Sequence, residues 1–139
     1  MTEQEFQTYT KERFTEQGWR VTAGVRNVVS TLAEIDRPLS AEEIRRQIQD
    51  SGKNIDLATV YRILDRLQQI KLVHKVVGKY MPTSDPLNEH EAEHFMLCEK
   101  TGKVHSIFLN YHDHIAQQLR KEKGFQLKRT EITFFGEMM

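Results

Sequence analysis

Cysteine is almost absent from this chain of 139 residues, where Cys98 stands alone. A single thiol excludes an intramolecular disulfide framework and suits a reducing cytoplasm. Long apolar runs are missing too. Nothing approaches the roughly 20 residues that a membrane span requires, so no membrane partner is expected. The first residues, Met1-Thr2-Glu3-Gln4-Glu5, are polar and acidic with no apolar h-region. No secretory signal is read there, and a cytoplasmic location is expected. The chain has no internal repeat and no low-complexity tract. It also lacks net charge, because 20 Lys and Arg balance 20 Asp and Glu. A zero sum weighs against nucleic acid, but the distribution of charge matters more than its total.

That distribution is uneven. Between Lys53 and Lys79 stand Lys53, Arg62, Arg66, Lys71, Lys75 and Lys79, against only Asp56 and Asp65. From Thr83 onward, seven Lys and Arg face nine Asp and Glu. The basic stretch is local. A solvated helix face would look the same, so charge alone does not assign a partner.

The length fits one domain or two small ones sharing a hinge. Thr2 with Glu5 forms a capping-box pattern that opens a helix carrying Phe6, Tyr9 and Phe14. Val25, Val28, Val29, Leu32 and Ile35 predict a second helix from about Ala23, ended by the region of Pro38. Ser40 with Glu43 is another capping box, before Ile44 and Ile48, and Ser51-Gly52 closes that helix. Asp56 can cap the next helix. Its stripe of Val60, Ile63, Leu64 and Leu67 faces a core, while Thr59, Arg62 and Arg66 fall on another face. Leu72-Val73-His74-Lys75-Val76, a turn at Gly78 and Lys79-Tyr80-Met81 read as a hairpin. The last three of these helices followed by a hairpin, with a basic outer face on the third of them, predict a winged helix-turn-helix. That form puts its recognition helix in the major groove and its wing near the backbone.

Pro82 and Pro86 bracket the expected linker, residues 83–86. Beyond it, Phe95–Cys98 and Val104–Phe108 read as strands around Lys100-Thr101-Gly102, and a helix over about 110–123 ends at Gly124. A last strand is expected over 125–135. Such a small sheet with one helix buries little by itself, so pairing with a second copy is expected to cover it. The fold class is therefore α+β: an N-terminal winged-helix DNA-binding domain (1–82), a hinge (83–86) and a small C-terminal α/β dimerisation domain (87–139).

At this point the chain resembles the ferric uptake regulator (Fur) family over nearly its whole length. The resemblance lies in Leu39-Ser40-Ala41-Glu42-Glu43-Ile44, in Ala58-Thr59-Val60-Tyr61-Arg62 with Leu64 and Leu67, in Leu72-Val73-His74, in Cys98-Glu99-Lys100-Thr101-Gly102-Lys103-Val104 and in Gly124-Phe125-Gln126-Leu127. It implies a cytoplasmic homodimer that binds double-stranded operator DNA, usually as a repressor, when loaded with a divalent metal. It also implies DNA contacts: Tyr61 to base edges, Arg62 to phosphate and Arg20 in an A·T-rich minor groove, with Thr59 and Arg66 on the same helix face. Tyrosine offers apolar contact to a thymine methyl plus a hydroxyl, and arginine pairs with phosphate or guanine. Packing of Tyr61 against the second helix is the bland alternative. The family usually carries an arginine where Val25 stands here, with Arg26 next to it.

The family's structural zinc takes two Cys-x-x-Cys pairs. Here Cys98 has Thr101 at the second position and the C-terminus has no cysteine, so no four-cysteine structural zinc is expected within one chain. Cys98 reads most simply as a small buried strand residue. For a regulatory ion, imidazole and carboxylate suit zinc or ferrous iron. Pro38, Met81 and Ser106 stand where the resemblance would place ligands, and Pro38 argues against peroxide sensing. The surviving candidates are His74, His90, Glu93, His94 and Asp113, with His105 or Asp85 as further donors at the hinge. Lys123 replaces a usual histidine. It suggests an alternative in which its ammonium pairs with Glu93 and Asp113 and DNA binding is metal-independent.

Rivals from other classes are weaker. His90-Glu91-Ala92-Glu93-His94 has the histidine spacing of a metal-dependent hydrolase, but it lies between a linker and a strand. No catalytic residues are expected. A haem-binding member of the same fold could use Cys98 or paired histidines, though no Cys-Pro pair is present.

Overall fold

The computed structural model describes residues 1–88, 92–128 and 130–139, which divide into two compact units, Met1–Pro86 and Leu87–Met139. Local chemistry builds the first. Helix α1 (Glu3–Gln17) starts from the complete Thr2/Glu5 capping box and ends where Gly18 turns left-handed at φ 74°. Thr22 caps α2 (Ala23–Glu34), the Ser40/Glu43 box starts α3 (Ala41–Asp50), and Asp56 caps α4 (Leu57–Gln69). Each cap satisfies backbone N–H groups that the helix itself leaves orphaned.

The second helix stops at Glu34, earlier than Pro38 suggests. Ile35 is already extended, so the helix ends before the Arg37–Pro38 step at which the proline itself would stop it. The early stop lets Leu39 pair with Tyr80 through two backbone hydrogen bonds of 2.9 and 2.8 Å. Tyr80 belongs to the hairpin of β1 (Val73–Val76) and β2 (Lys79–Pro82), paired Val73↔Pro82 to Val76↔Lys79. Its two turn residues, Val77 and Gly78, both have positive φ, 50° and 75°. That is the turn handedness that matches strand twist.

The apolar stripes converge on one core. Phe6 and Phe14 of α1, Val28, Val29 and Leu32 of α2, Ile44 and Ile48 of α3, and Val60, Leu64 and Leu67 of α4 are all buried, together with Leu39 and Leu72. Each such side chain contributes about 1.5–3 kcal/mol. Residues 83–86, expected as a linker, are tied into this unit instead. Thr83 is buried and its N–H donates to Leu72 O at 2.9 Å. Arg13 reaches across from α1 to donate to Ile70 O at 2.9 Å and to Pro86 O at 2.8 Å.

The second unit has β3 (Ala92–Cys98), β4 (Val104–Leu109), α5 (His112–Lys123) and β5 (Thr133–Gly136), in sheet order β4-β3-β5. β3 is antiparallel to β4 and parallel to β5. A parallel neighbour needs a crossover, and α5 lies in it. The last strand is much shorter than the 125–135 expected from sequence. The Phe125 N–H is taken by Leu119 O at 3.2 Å, closing α5 over left-handed Gly124, so the strand cannot begin there. No helix among the described residues is long and apolar enough to cross a membrane.

Candidate nucleic-acid interface and metal residues

Apart from Arg20, the residues expected to read DNA stand on α4. Asp56 Oδ1 accepts the Thr59 N–H at 2.7 Å, which fixes the start of the helix. The Thr59 backbone and hydroxyl, and more weakly Arg62, hold the Asp56 carboxyl below its usual range. Val60, Ile63, Leu64 and Leu67 anchor the other side in the core. What remains outside is Ala58, Tyr61, Arg62, Asp65 and Gln69, with Tyr61 44% exposed. Tyr61 is therefore not packed away against α2. Thr59 is half-buried and lines an open groove of about 730 Å³ with Thr22, Arg45, Asn54 and Asp56. Arg45 was not singled out from sequence. Its signal was available, since it follows buried Ile44 and so faces away from the core stripe.

Arg20 is exposed in the short connector between α1 and α2. Val25 is buried at 2% exposure and points no contact outward, while exposed Arg26 donates to Val21 O at 3.4 Å. Arg66 departs from the sequence expectation. It is half-buried, and its guanidinium lies over the Trp19 ring, 5.1 Å from the centroid.

Glu43 knots three segments together. Besides boxing Ser40, it accepts from Arg37 Nη1 at 2.7 Å and Lys79 Nζ at 3.3 Å. Arg37 above all holds its carboxyl down at about 2. The wing strand β2 is thereby linked to the start of α3.

The metal candidates are spread out. His74 lies on β1 opposite Met81, half-buried, in the first unit. His90 lies outside the described residues. Glu93 and His94 are neighbours on β3, so they point to opposite faces of the strand. His94 is only 2% exposed and stacks on Tyr111, with centroids 5.3 Å apart and planes at 20°. The Tyr111 hydroxyl is buried with no hydrogen-bond partner among the described residues, and burial pushes its pKa up. Asp113 is exposed in the first turn of α5. Among the described residues, no three His, Cys, Asp or Glu converge where a metal could sit.

Two alternatives to the main reading find no support in the geometry. Asp113 and Lys123 stand at opposite ends of α5, about 15 Å apart at the helical rise per residue, so one chain cannot pair them. Lys123 forms no ion pair among the described residues. The hydrolase-like histidine spacing needs a helix, and residues 92–94 are strand.

Cys98 is 3% exposed, as expected of a small strand residue. The Met138 N–H first, then the Thr101 hydroxyl and N–H and the Lys100 N–H, pull the thiol down to about 7. One thiol with hydrogen-bond donors around it does not fit a tetrathiolate zinc.

With this geometry in place, comparison with known proteins is informative. The sequence model of the ferric uptake regulator family matches residues 16–135. The ferric uptake regulation protein of Bacillus subtilis is 27% identical over 130 residues, covering 91% of this chain and 87% of the relative. A zinc uptake regulator complexed with zinc and DNA superposes with a TM-score of 0.85 at 22% identity, covering 99% of this chain and 93% of that one. A crystal structure of holo XcZur gives a TM-score of 0.69 at 25% identity, covering 89% and 87%. The matched span takes in the whole of α4, the wing and all but the last residue of the second sheet, and the chain belongs to the ferric uptake regulator family of DNA-binding transcription regulators.

Proposed function

We propose that this chain binds double-stranded operator DNA as a homodimer and represses transcription there. α4 lies in the major groove, with Thr59, Tyr61 and Arg62 toward it. The observation that carries this reading is the exposed pair Tyr61-Arg62 on a helix whose opposite stripe is fixed in the core. Rigid placement of two adjacent contact side chains is what base readout needs. Arg20 joins them in the neighbouring minor groove. The acidic, sparsely buried second unit supplies the dimer contact.

A mobility-shift assay on the region upstream of the protein's own gene tests this. Tyr61→Ala and Arg62→Ala should each weaken binding by about 1–3 kcal/mol, and Arg62→Ala should lower the salt slope by about 1. Unchanged affinity in both variants defeats the docking.

We assign regulation by zinc or ferrous iron to His90 and His94 of the second unit, and leave Glu93, on the other face of β3, outside that site. Their donor chemistry supports it, as does the likeness to a holo zinc regulator. The residues themselves bind and orient; the ion would add fixed positive charge beside β3. Operator affinity that is identical with added zinc, with added ferrous iron and with chelator removes the metal from the proposal. The DNA-binding assignment stands or falls separately.

A further inference from the structure

Trp19 is the only tryptophan in the chain, and three contacts hold it. Its N–H donates to Phe14 O at 2.8 Å, which the left-handed Gly18 makes possible. Its ring meets Phe14 edge to face, 5.4 Å between centroids at 85°. The Arg66 guanidinium covers the ring at 5.1 Å. On the far side of Arg20, Val21 packs against the core and its carbonyl accepts from Arg26, after which Thr22 caps α2. Exposed Arg20 thus sits in a connector fixed at both ends.

Arg66 lies one helical turn beyond Arg62, so spacing alone would count both as contacts to DNA. Its planar cation is instead engaged with an aromatic face, an interaction that a guanidinium makes well and an ammonium replaces poorly. We propose that Arg66 is a positioning residue that acts on DNA through Trp19. Its stack orders the Gly18–Thr22 connector, so that Arg20 is preset for an A·T-rich minor groove, whose negative potential attracts arginine. Ordering that connector before binding removes an entropy cost that would otherwise fall on the complex. The proposal rests on the DNA-binding reading above and adds the device that aims its minor-groove arm.

The test is a double-mutant cycle on the full-length dimer. The probe is a duplex that the wild-type protein selects from a random-sequence pool, and Trp19 emission is read in the free protein. Arg66→Ala and Arg20→Ala should each weaken binding about tenfold. In the Arg20→Ala background, Arg66→Ala should change affinity less than about twofold, the non-additivity expected of coupled residues. Arg66→Lys keeps the charge and should still lose about as much as Arg66→Ala. Both Arg66 variants should shift Trp19 emission to the red and make it easier to quench. If Arg66→Ala does not fold, by far-ultraviolet circular dichroism, Arg66→Lys completes the same cycle. Additive losses, wild-type affinity in Arg66→Lys, or unaltered Trp19 emission would each overturn the proposal while leaving the DNA reading intact. A wild-type protein that selects no duplex overturns the DNA reading and the proposal with it.

Discussion

The two units bury their chain to very different degrees. In Met1–Pro86, four helices and a hairpin close over a core that draws side chains from every helix, and many of them have no exposure at all. In Leu87–Met139, the described residues that are buried are His94, Phe95 and Cys98, all on the central strand β3. α5 buries none, and Phe134 and Phe135 of edge strand β5 remain 44% and 59% exposed. A unit of this size with so little inside is marginal on its own, whereas the first has enough core to stand alone. The difference teaches a division of labour. The unit that carries the proposed DNA-reading helix is internally complete, and the unit left incomplete is the one assigned to the proposed dimer contact.

The largest effect should come from the first core. Leu64 is fully buried at the centre of α4. Leu64→Ala should cost about 2–5 kcal/mol in chemical denaturation. Leu119→Ala, on α5 where nothing is fully buried, should cost far less at low protein concentration, where a dimer contributes nothing. Equal losses would break the contrast. The next effect belongs to the dimer. Phe135→Glu places a charge on an exposed apolar edge. It should weaken self-association by about 2 kcal/mol or more in sedimentation experiments, without lowering the stability of the first unit. A dimer that survives Phe135→Glu unchanged would mean that the exposed edge is not where the second copy binds.

A smaller effect is set by pH. Glu43 has its folded-state carboxyl lowered from 4.5 to about 2. Its contribution is therefore complete above about pH 4.5 and is lost as pH falls through 2. Its partners Arg37 and Lys79 are about half exposed, at 53% and 49%. Solvent screening then limits the contribution to about 1 kcal/mol. Glu43→Gln should lower stability at pH 7 by that amount and flatten the acid limb between pH 4.5 and 2. A variant with an unchanged acid limb would show that the knot between α3 and the wing does not stabilise the first unit.

The same contrast explains what could be read from sequence. The caps at Thr2, Ser40 and Asp56, the stripe from Val60 to Leu67 and the turn at Gly78 are all local, so a few adjacent residues specify them. The Leu39–Tyr80 bridge, the Arg13 bonds to Ile70 and Pro86 and the Arg66–Trp19 stack join residues far apart in the chain, and no spacing rule announces them. Tyr61 and Arg62 were legible because a helix converts spacing directly into facing. The metal candidates were not, because strands and hinges place ligands only through tertiary packing. Asp113 and Lys123 show the cost of matching residues one by one without the rise of the helix between them.

The smallest effect concerns local strain inside the otherwise well-packed unit. Val77 sits at the hairpin tip with φ 50° and is 60% exposed. A β-branched side chain is poorly suited to that region, where asparagine and glycine are at home. Followed by Gly78, asparagine would give the pair that this turn type prefers. Val77→Asn should therefore raise stability by about 0.5–1 kcal/mol, or about 4–8 °C in melting temperature for each kcal/mol in a domain of this size. Little buried area is lost, because the valine is mostly exposed. The gain should appear in the isolated first unit as fully as in the whole chain, since the strain lies within the hairpin. A gain seen only in the whole chain would show that Met1–Pro86 does not fold as a self-contained unit.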